Sequence, residues 1–156
     1  MDVNQIRFAI FLAVFLLMLG LEYIIQRHPT VDVKTRRLKI NLALTGIDIL
    51  VVRLFFGAAA VGAAQFAGER GWGLFNYLQW PEGLETLFCV VFLDLMIYIQ
   101  HVVVHMIPFF WRFHIVHHSD LDLDVSSGLR FHPVEILGSM LFKIGLIFAL
   151  GPSAIA

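Results

Sequence analysis

The sequence predicts an all-α fold: a multi-pass transmembrane helical bundle of about four membrane segments, with a histidine cluster on its cytoplasmic side. Three observations predict it. Of the 156 residues, 59% are hydrophobic and only 15% are charged, whereas an ordinary soluble domain is about a quarter charged. The apolar residues come in runs of bilayer length rather than at amphipathic helix or strand spacing. The polar stretches are loop-sized, so residues 1–156 read as a single membrane domain.

The first run, about residues 6–25, is long enough to cross about 30 Å of hydrocarbon as a helix. A cleaved signal peptide is the rival reading of an N-terminal run. The apolar length exceeds a signal core, and Leu21-Glu22-Tyr23 offers no small-residue cleavage site, so a retained span is expected. A basic loop follows, with Arg27, Lys34, Arg36, Arg37 and Lys39 against Asp32 alone. Loops rich in Lys and Arg stay in the cytoplasm. Alternation then places the Trp72 loop outside and the 108–133 stretch, with its histidines, back in the cytoplasm.

The second run, about 40–66, is interrupted by Asp48 and Arg53. Charges at that depth are costly and face protein or water. Their spacing of five is poor for a same-face pair, so a buried or snorkelling charge is the expectation for each. Gly57, Gly62 and the alanines between them suit close helix packing. From Gly68 to Gly83 the chain is rich in glycine and aromatics (Trp72, Phe75, Tyr77, Trp80), which suits an interfacial connection. The third span runs about 84–107 and is stopped by Pro108. The last, about 134–151, holds Lys143 as its one charge. Cys89, the single cysteine, sits inside the third run and reads as a packed thiol. A net charge of -1 with no basic face excludes nucleic acid as a partner.

Six of the seven histidines fall between residues 101 and 132. They run His101-Val-Val-Val-His105, then His114-Ile-Val-His117-His118, then His132. Residues four apart share a helix face, so His101 and His105 can present both imidazoles to one ion. His114 with His117 or His118 repeats the arrangement. Asp94, Tyr98, His101 and His105 form one helical stripe, and an aspartate there suits the role of fixing an imidazole tautomer. Asp94 lies about 10 Å from His101 along the helix, which argues against direct ligation. From Leu84 to His105 a helix rises about 33 Å, so the cluster emerges at a membrane face. Imidazole-rich sites suit iron, zinc, copper or nickel alike. The absence of cysteine near the cluster argues against iron–sulfur and thiolate zinc sites, and clustering at one end serves a haem poorly.

The stretch from Asp94-Leu-Met-Ile-Tyr98-Ile-Gln-His101-Val-Val-Val-His105, through Trp111-Arg112-Phe113-His114-Ile115-Val116-His117-His118-Ser119, to Arg130-Phe131-His132-Pro133-Val134-Glu135 resembles the fatty acid hydroxylase/sterol desaturase superfamily. It spans about a quarter of the chain. The resemblance implies a non-haem di-iron centre that uses O2 to oxidise a C–H bond of a lipid. Its electrons would come from a donor such as cytochrome b5 or a ferredoxin with its reductase. His101, His105, His114, His117 and His118 match the first two histidine boxes as ligands, and His132 matches the pattern with a less secure role. Trp111 and Arg112 are expected to orient the segment. Asp120, Asp122 and Asp124 are expected to be solvated loop charges, Asp124 fitting the family pattern best as a hydrogen-bonding partner.

The family completes its site with a further HxxHH box, which this chain lacks. Two metals need about eight donors, more than six histidines supply. The chain therefore reads as the N-terminal part of such an enzyme. A non-enzymatic membrane metal-binding or transport protein, or an inactive truncated relative, is the alternative. Hydroxylation and desaturation are not separable from the motif, and a bacterial inner membrane and the endoplasmic reticulum fit equally.

Overall fold

The computed structural model describes residues 3–25, 32–57, 59–78 and 80–152, and these are helical without any strand. The helices are α1 (Val3–Ile24), α2 (Lys34–Phe55), α3 (Ala59–Arg70), α4 (Leu74–Leu78), α5 (Glu82–Met106), α6 (Pro108–His114) and α7 (Pro133–Leu150). Two short 3-10 turns, His117–Ser119 and Ser127–Leu129, lie between α6 and α7.

Four stretches are long and apolar enough to cross a membrane: Gln5–Ile24, Lys34–Leu78, Glu82–Met106 and Pro133–Leu150. The distribution of side chains agrees with an integral membrane protein. Large apolar residues such as Phe8, Leu17, Leu54 and Leu87 are exposed, while Arg37, Asn41, Asp48, His114, Ser126 and Ser127 are buried. In a bilayer the apolar surface costs nothing outside, and polar groups are worth enclosing because only other protein groups satisfy them.

The helix ends follow local chemistry. α5 starts after Pro81 with Glu82 and Glu85 in its first turn, where acids suit the positive end of the helix dipole. It stops at Ile107, held extended because Pro108 follows. Pro108 and Pro133 each open the next helix, where the missing N–H has no partner to lose. α7 ends on Gly151 in the left-handed region, φ 61°. Gly151 also abuts Gly73: a side chain at either would collide with the other's neighbourhood, so α4 and the end of α7 meet closely there.

α7 is the central post, packed against α2, α3, α4, α5 and α6. Near its C-terminal end Phe75, Cys89 and Leu150 form a small buried core with Phe88, Phe92 and Leu93 around it. Cys89 is fully enclosed there, as a packed thiol.

The second segment differs from a single helix over 40–66. α2 begins at Lys34 and ends at Phe55 with Phe56 as its C-cap, Gly57 takes φ +50°, and α3 starts at Ala59. The glycine supplies a backbone conformation that other residues resist, in a run with no charge to advertise the break. The early start of α2 places Lys34, Arg36, Arg37 and Lys39 on its first turns rather than in a loop; Arg27 lies outside the described residues. Asp48 is buried with Oδ1 lacking a hydrogen-bond partner among the described residues, while Arg53 is exposed and makes no ion pair with it.

Candidate metal centre

His101 and His105 leave the same face of α5 near its end, with their Nε2 atoms 3.3 Å apart. The turn at Pro108 folds α6 back over that face. His114, the last residue of α6, brings its Nε2 to 3.2 Å from that of His105. His118, on the following 3-10 turn, closes the group at 3.2 Å from His105 and 3.1 Å from His114. One nitrogen from each of the four lies within 4.8 Å of every other.

These nitrogens fit a metal ion by spacing and by chemistry. Four nitrogens bound tetrahedrally at about 2.0–2.1 Å stand about 3.4 Å apart, close to the four separations of 3.1–3.3 Å. Hydrogen bonding alone leaves the group unsatisfied. His105 Nε2 faces three other imidazole nitrogens, yet a neutral ring has one N–H and gives it to one acceptor. The remaining lone pairs converge, which is the arrangement a cation satisfies.

The fully buried His114 is the best-oriented of the four. Its Nδ1 lies 2.7 Å from Glu135 Oε1, on the first turn of α7. A proton on Nδ1 donated to the carboxylate leaves the Nε2 lone pair facing the cluster, the outer-shell arrangement common around metal-bound histidine. Burial, then the neighbouring His105 and His117, push the His114 pKa down to about 4. The contact is therefore a hydrogen bond from a neutral ring at neutral pH, not an ion pair. Burial and the surrounding histidines also lower the pKa of His118, and neutral imidazoles are the ligating form. Trp111 stacks on His118, ring centres 5.6 Å apart, and lies 5.2 Å from His105.

His117 stands beside the four, its ring centre 5.0 Å from His118 and 5.4 Å from His114. Its Nδ1 is 3.1 Å from the Arg130 carbonyl, and its ring stacks on Phe131. His132 is not brought into the group of four. Its Nδ1 accepts the Val134 N–H as the N-cap of α7, and its ring packs 5.2 Å from Phe113. Asp94 and Tyr98 lie on the exposed surface of α5, and Asp94 makes no hydrogen bond or ion pair with the described residues.

The loop that carries His117 and His118 is fastened to α2 by a buried polar clamp. Arg37 Nε donates to Asp120 Oδ1 at 2.7 Å, and its guanidinium reaches Asp124 Oδ2 at 2.9 Å and Asp122 Oδ2 at 3.5 Å. Arg37 also donates to the Asp122 carbonyl. Asn41, one turn on, donates to Asp120 Oδ2 and Ser126 Oγ. Asp124 Oδ1 accepts from the backbone of Ser126 and Ser127 and from the Ser126 hydroxyl. Burial works to raise the Asp120 pKa, but hydrogen bonds from Arg37 and Asn41 and the charge of Arg37 outweigh it, and the carboxyl sits below its usual range. The three aspartates are thus partners of one arginine rather than solvated charges.

Arg37, Asn41 and Glu135 were not among the residues that sequence pattern singled out for the site. A signal for the first two existed. Arg37, Asn41, Thr45 and Asp48 recur every three or four residues, a polar stripe that continues along one face into the apolar part of the helix. Glu135 stands three residues after His132, inside the quoted motif, but nothing local marks it as the partner of His114, 21 positions earlier.

Comparison with known proteins reaches the same stretch of the chain. The fatty acid hydroxylase family model matches residues 86–156, which include the whole histidine cluster and Glu135. An alkylglycerol monooxygenase of Caenorhabditis elegans is 28% identical over 119 residues, covering 75% of this chain and 24% of the relative. An ornithine lipid hydroxylase of Rhizobium tropici is 35% identical over 68 residues, covering 44% of this chain and 19% of the relative. The match thus spans a quarter or less of either relative's length. No solved structure matches. By its histidine motifs and these matches, the histidine-bearing part of the chain, residues 86–156, is similar to the fatty acid hydroxylase family.

Proposed function

We propose that this chain contributes a histidine-ligated iron site to the O2-dependent oxidation of a C–H bond in a membrane lipid. The observation that carries the reading is the convergence of His101, His105, His114 and His118, four nitrogens at metal-ligand spacing. The related proteins support the substrate class, since one is named for an alkylglycerol and the other for an ornithine lipid.

When bound, the iron supplies the redox chemistry that turns O2 against an unreactive C–H bond. The chain's own residues hold and orient. Glu135 fixes the His114 tautomer, Trp111 packs over His118 and His105, and the Arg37 clamp sets the loop bearing His117 and His118. His117 and His132 are the donors nearest to hand for a second ion. A di-iron centre needs about eight donors, so the reading calls for further ligands besides the four grouped histidines, His117 and His132. Electrons come from an external donor such as cytochrome b5 or a ferredoxin, which the cytoplasmic orientation of the basic α2 end makes accessible.

The test is iron content together with product. Protein purified anaerobically in nanodiscs and loaded with Fe(II) should retain iron and, given a reductase, O2 and lipid, yield an oxygenated or desaturated lipid by mass spectrometry. His114→Ala should lose both. Retention of full iron content and activity by that variant would sink the reading.

A further inference from the structure

Two opposite charges at membrane depth stand without partners among the described residues. Asp94 lies twelve residues from Glu82 and twelve from Met106, the two ends of α5. It is thus about 18 Å from either end, near the middle of a bilayer. Asp94 is exposed, as is Tyr98 one turn nearer the histidines. Lys143, the one cation of α7, is half-buried and makes no hydrogen bond or ion pair with the described residues. A charge at this depth faces protein or water rather than lipid. Water suits the place poorly, because Val90, Val91 and Ile97 beside Asp94 are themselves exposed and apolar.

The register of α5 against α7 brings the two charges to one depth and one side. Ser139 Oγ donates to Gln100 Oε1 across the contact, and Cys89 meets Leu150 further along, so the helices run antiparallel. From the Gln100–Ser139 level, Asp94 lies about 9 Å deeper on α5 and Lys143 about 6 Å deeper on α7. With about 100° of turn per residue, Asp94 points about 120° away from Gln100 and Lys143 about 40° away from Ser139. In antiparallel neighbours these rotations carry both side chains to the same side of the plane through the two axes. Ile99 and Val103 of α5 and Gly138 and Phe142 of α7, which line a groove between the helices, turn to the other side.

We propose that this side of the molecule pairs with a second copy of the chain, Asp94 of each copy meeting Lys143 of the other near the middle of the bilayer. A two-fold axis along the membrane normal, passing between the two charges, sets each carboxylate opposite the other copy's ammonium. Both copies then keep the same orientation in the membrane. An isologous contact presents one surface to itself. A surface that carries one charge of each sign, side by side at one depth, is complementary to itself and repels nothing across the axis. The pairing is independent of metal binding and of lipid oxidation.

The experiment uses the full chain in phosphatidylcholine liposomes, with donor and acceptor fluorophores on separate preparations through an added N-terminal tag. Energy transfer over a range of protein-to-lipid ratios gives the dissociation constant. Wild type should associate. Asp94→Ala and Lys143→Ala should each raise the constant at least about tenfold, a loss of about 1.4 kcal/mol. The double variant should be no weaker than the weaker single one, because both remove the same contact. Asp94→Asn should act in the same direction and stands in if Asp94→Ala does not fold. Arg53→Ala, which removes an exposed cation of α2 outside the proposed contact, should leave association unchanged. Exchange of charge is the most direct arm. Asp94→Lys chains and Lys143→Asp chains should each stay monomeric alone and pair when mixed.

Absence of energy transfer in wild type at every ratio overturns the proposal. So does association unchanged in the folded Asp94 variants, equal weakening by Arg53→Ala, or failure of the folded exchange variants to pair on mixing. A photo-cross-linker placed at Tyr98 covers the remaining occupant. Capture of a different polypeptide in native membranes, with no cross-link between copies, defeats self-pairing and is the result expected if another protein covers this side.

Discussion

Glu135 Oε1 sits 2.7 Å from His114 Nδ1, joining the first turn of α7 to a fully buried ring that faces three further imidazoles. This contact ties α7 to the histidine cluster although α7 itself contains no histidine. Removing an outer carboxylate from a metal-bound histidine costs about 10- to 100-fold in metal affinity. Glu135→Ala is expected to weaken Co(II) binding, read from the d–d absorption of the bound ion, by that factor. Glu135→Gln keeps an oxygen acceptor for Nδ1 and should recover much of the loss. Equal affinity in wild type and Glu135→Ala would show that Glu135 does not orient the ligand.

The Arg37 clamp predicts a stability effect at a distance from the histidines. Arg37 is 3% exposed and pairs with carboxylates of Asp120, Asp122 and Asp124. Breaking a buried ion pair by deleting one partner costs about 3–5 kcal/mol, because it strands the opposite charge. Arg37→Ala should therefore lower thermal stability in detergent by that order, whereas Asn41→Ala, which removes hydrogen bonds to Asp120 and Ser126 but leaves the Arg37 ion pairs standing, should cost about 1–3 kcal/mol. A larger effect from Asn41→Ala than from Arg37→Ala would contradict this ordering.

These two features mark where sequence pattern reached and where it stopped. The spans now seen as α5 and α7 were legible because apolar runs bounded by prolines have a single reading in a bilayer. The His101–His105 pair was legible because spacing of four fixes a face. His132 and His114 are the same residue type in similar motifs, yet the irregular stretch around residues 120–131 delivers one to the N-cap of α7 and the other to the cluster. No local spacing distinguishes them. Arg37 was read as one of several loop cations because its partners lie more than 80 positions downstream. The break at Gly57 was hidden by a run of small apolar residues that suits one packed helix as well as two.

The low pKa of His114 sets the direction of a pH effect on the metal-free protein. Its value is about 4 in the folded chain against 6.5 ordinarily, so folding favours the neutral ring. The stability contributed by that ring is fully present above about pH 6.5 and is lost as pH falls from there through about 4. Asp120 acts in the same sense at lower pH: its pKa is depressed, so its contribution holds above the ordinary carboxylate range and is lost as pH falls through its folded value. Chelator-treated protein should thus lose stability on acidification below neutrality. His114→Gln, which cannot gain a proton, should flatten the profile between about pH 6.5 and 4 and leave the more acidic limb. A variant profile as steep as wild type in that window would be the contrary result.

Trp111 offers a direct optical report on whether metal enters the cluster. Its ring stacks on His118 at 5.6 Å and lies 5.2 Å from His105, so an ion held by those two nitrogens sits within van der Waals range of the indole or close to it. The other two tryptophans, Trp72 and Trp80, pack with Phe66 and Phe148 and with Phe75 and Phe88, away from the histidines. Titration with Co(II) or Fe(II), both efficient quenchers at contact, should reduce the fluorescence of Trp111 and leave the other two emitting. With three tryptophans in the chain, saturation is therefore expected to remove about one third of the total emission where the three indoles emit equally. In Trp111→Phe the same titration should leave the remaining emission nearly unchanged, while the d–d absorption of bound Co(II) persists. Quenching of equal size in that variant would place the metal beside Trp72 or Trp80, at the other end of the bundle, and would remove the histidine cluster as the site.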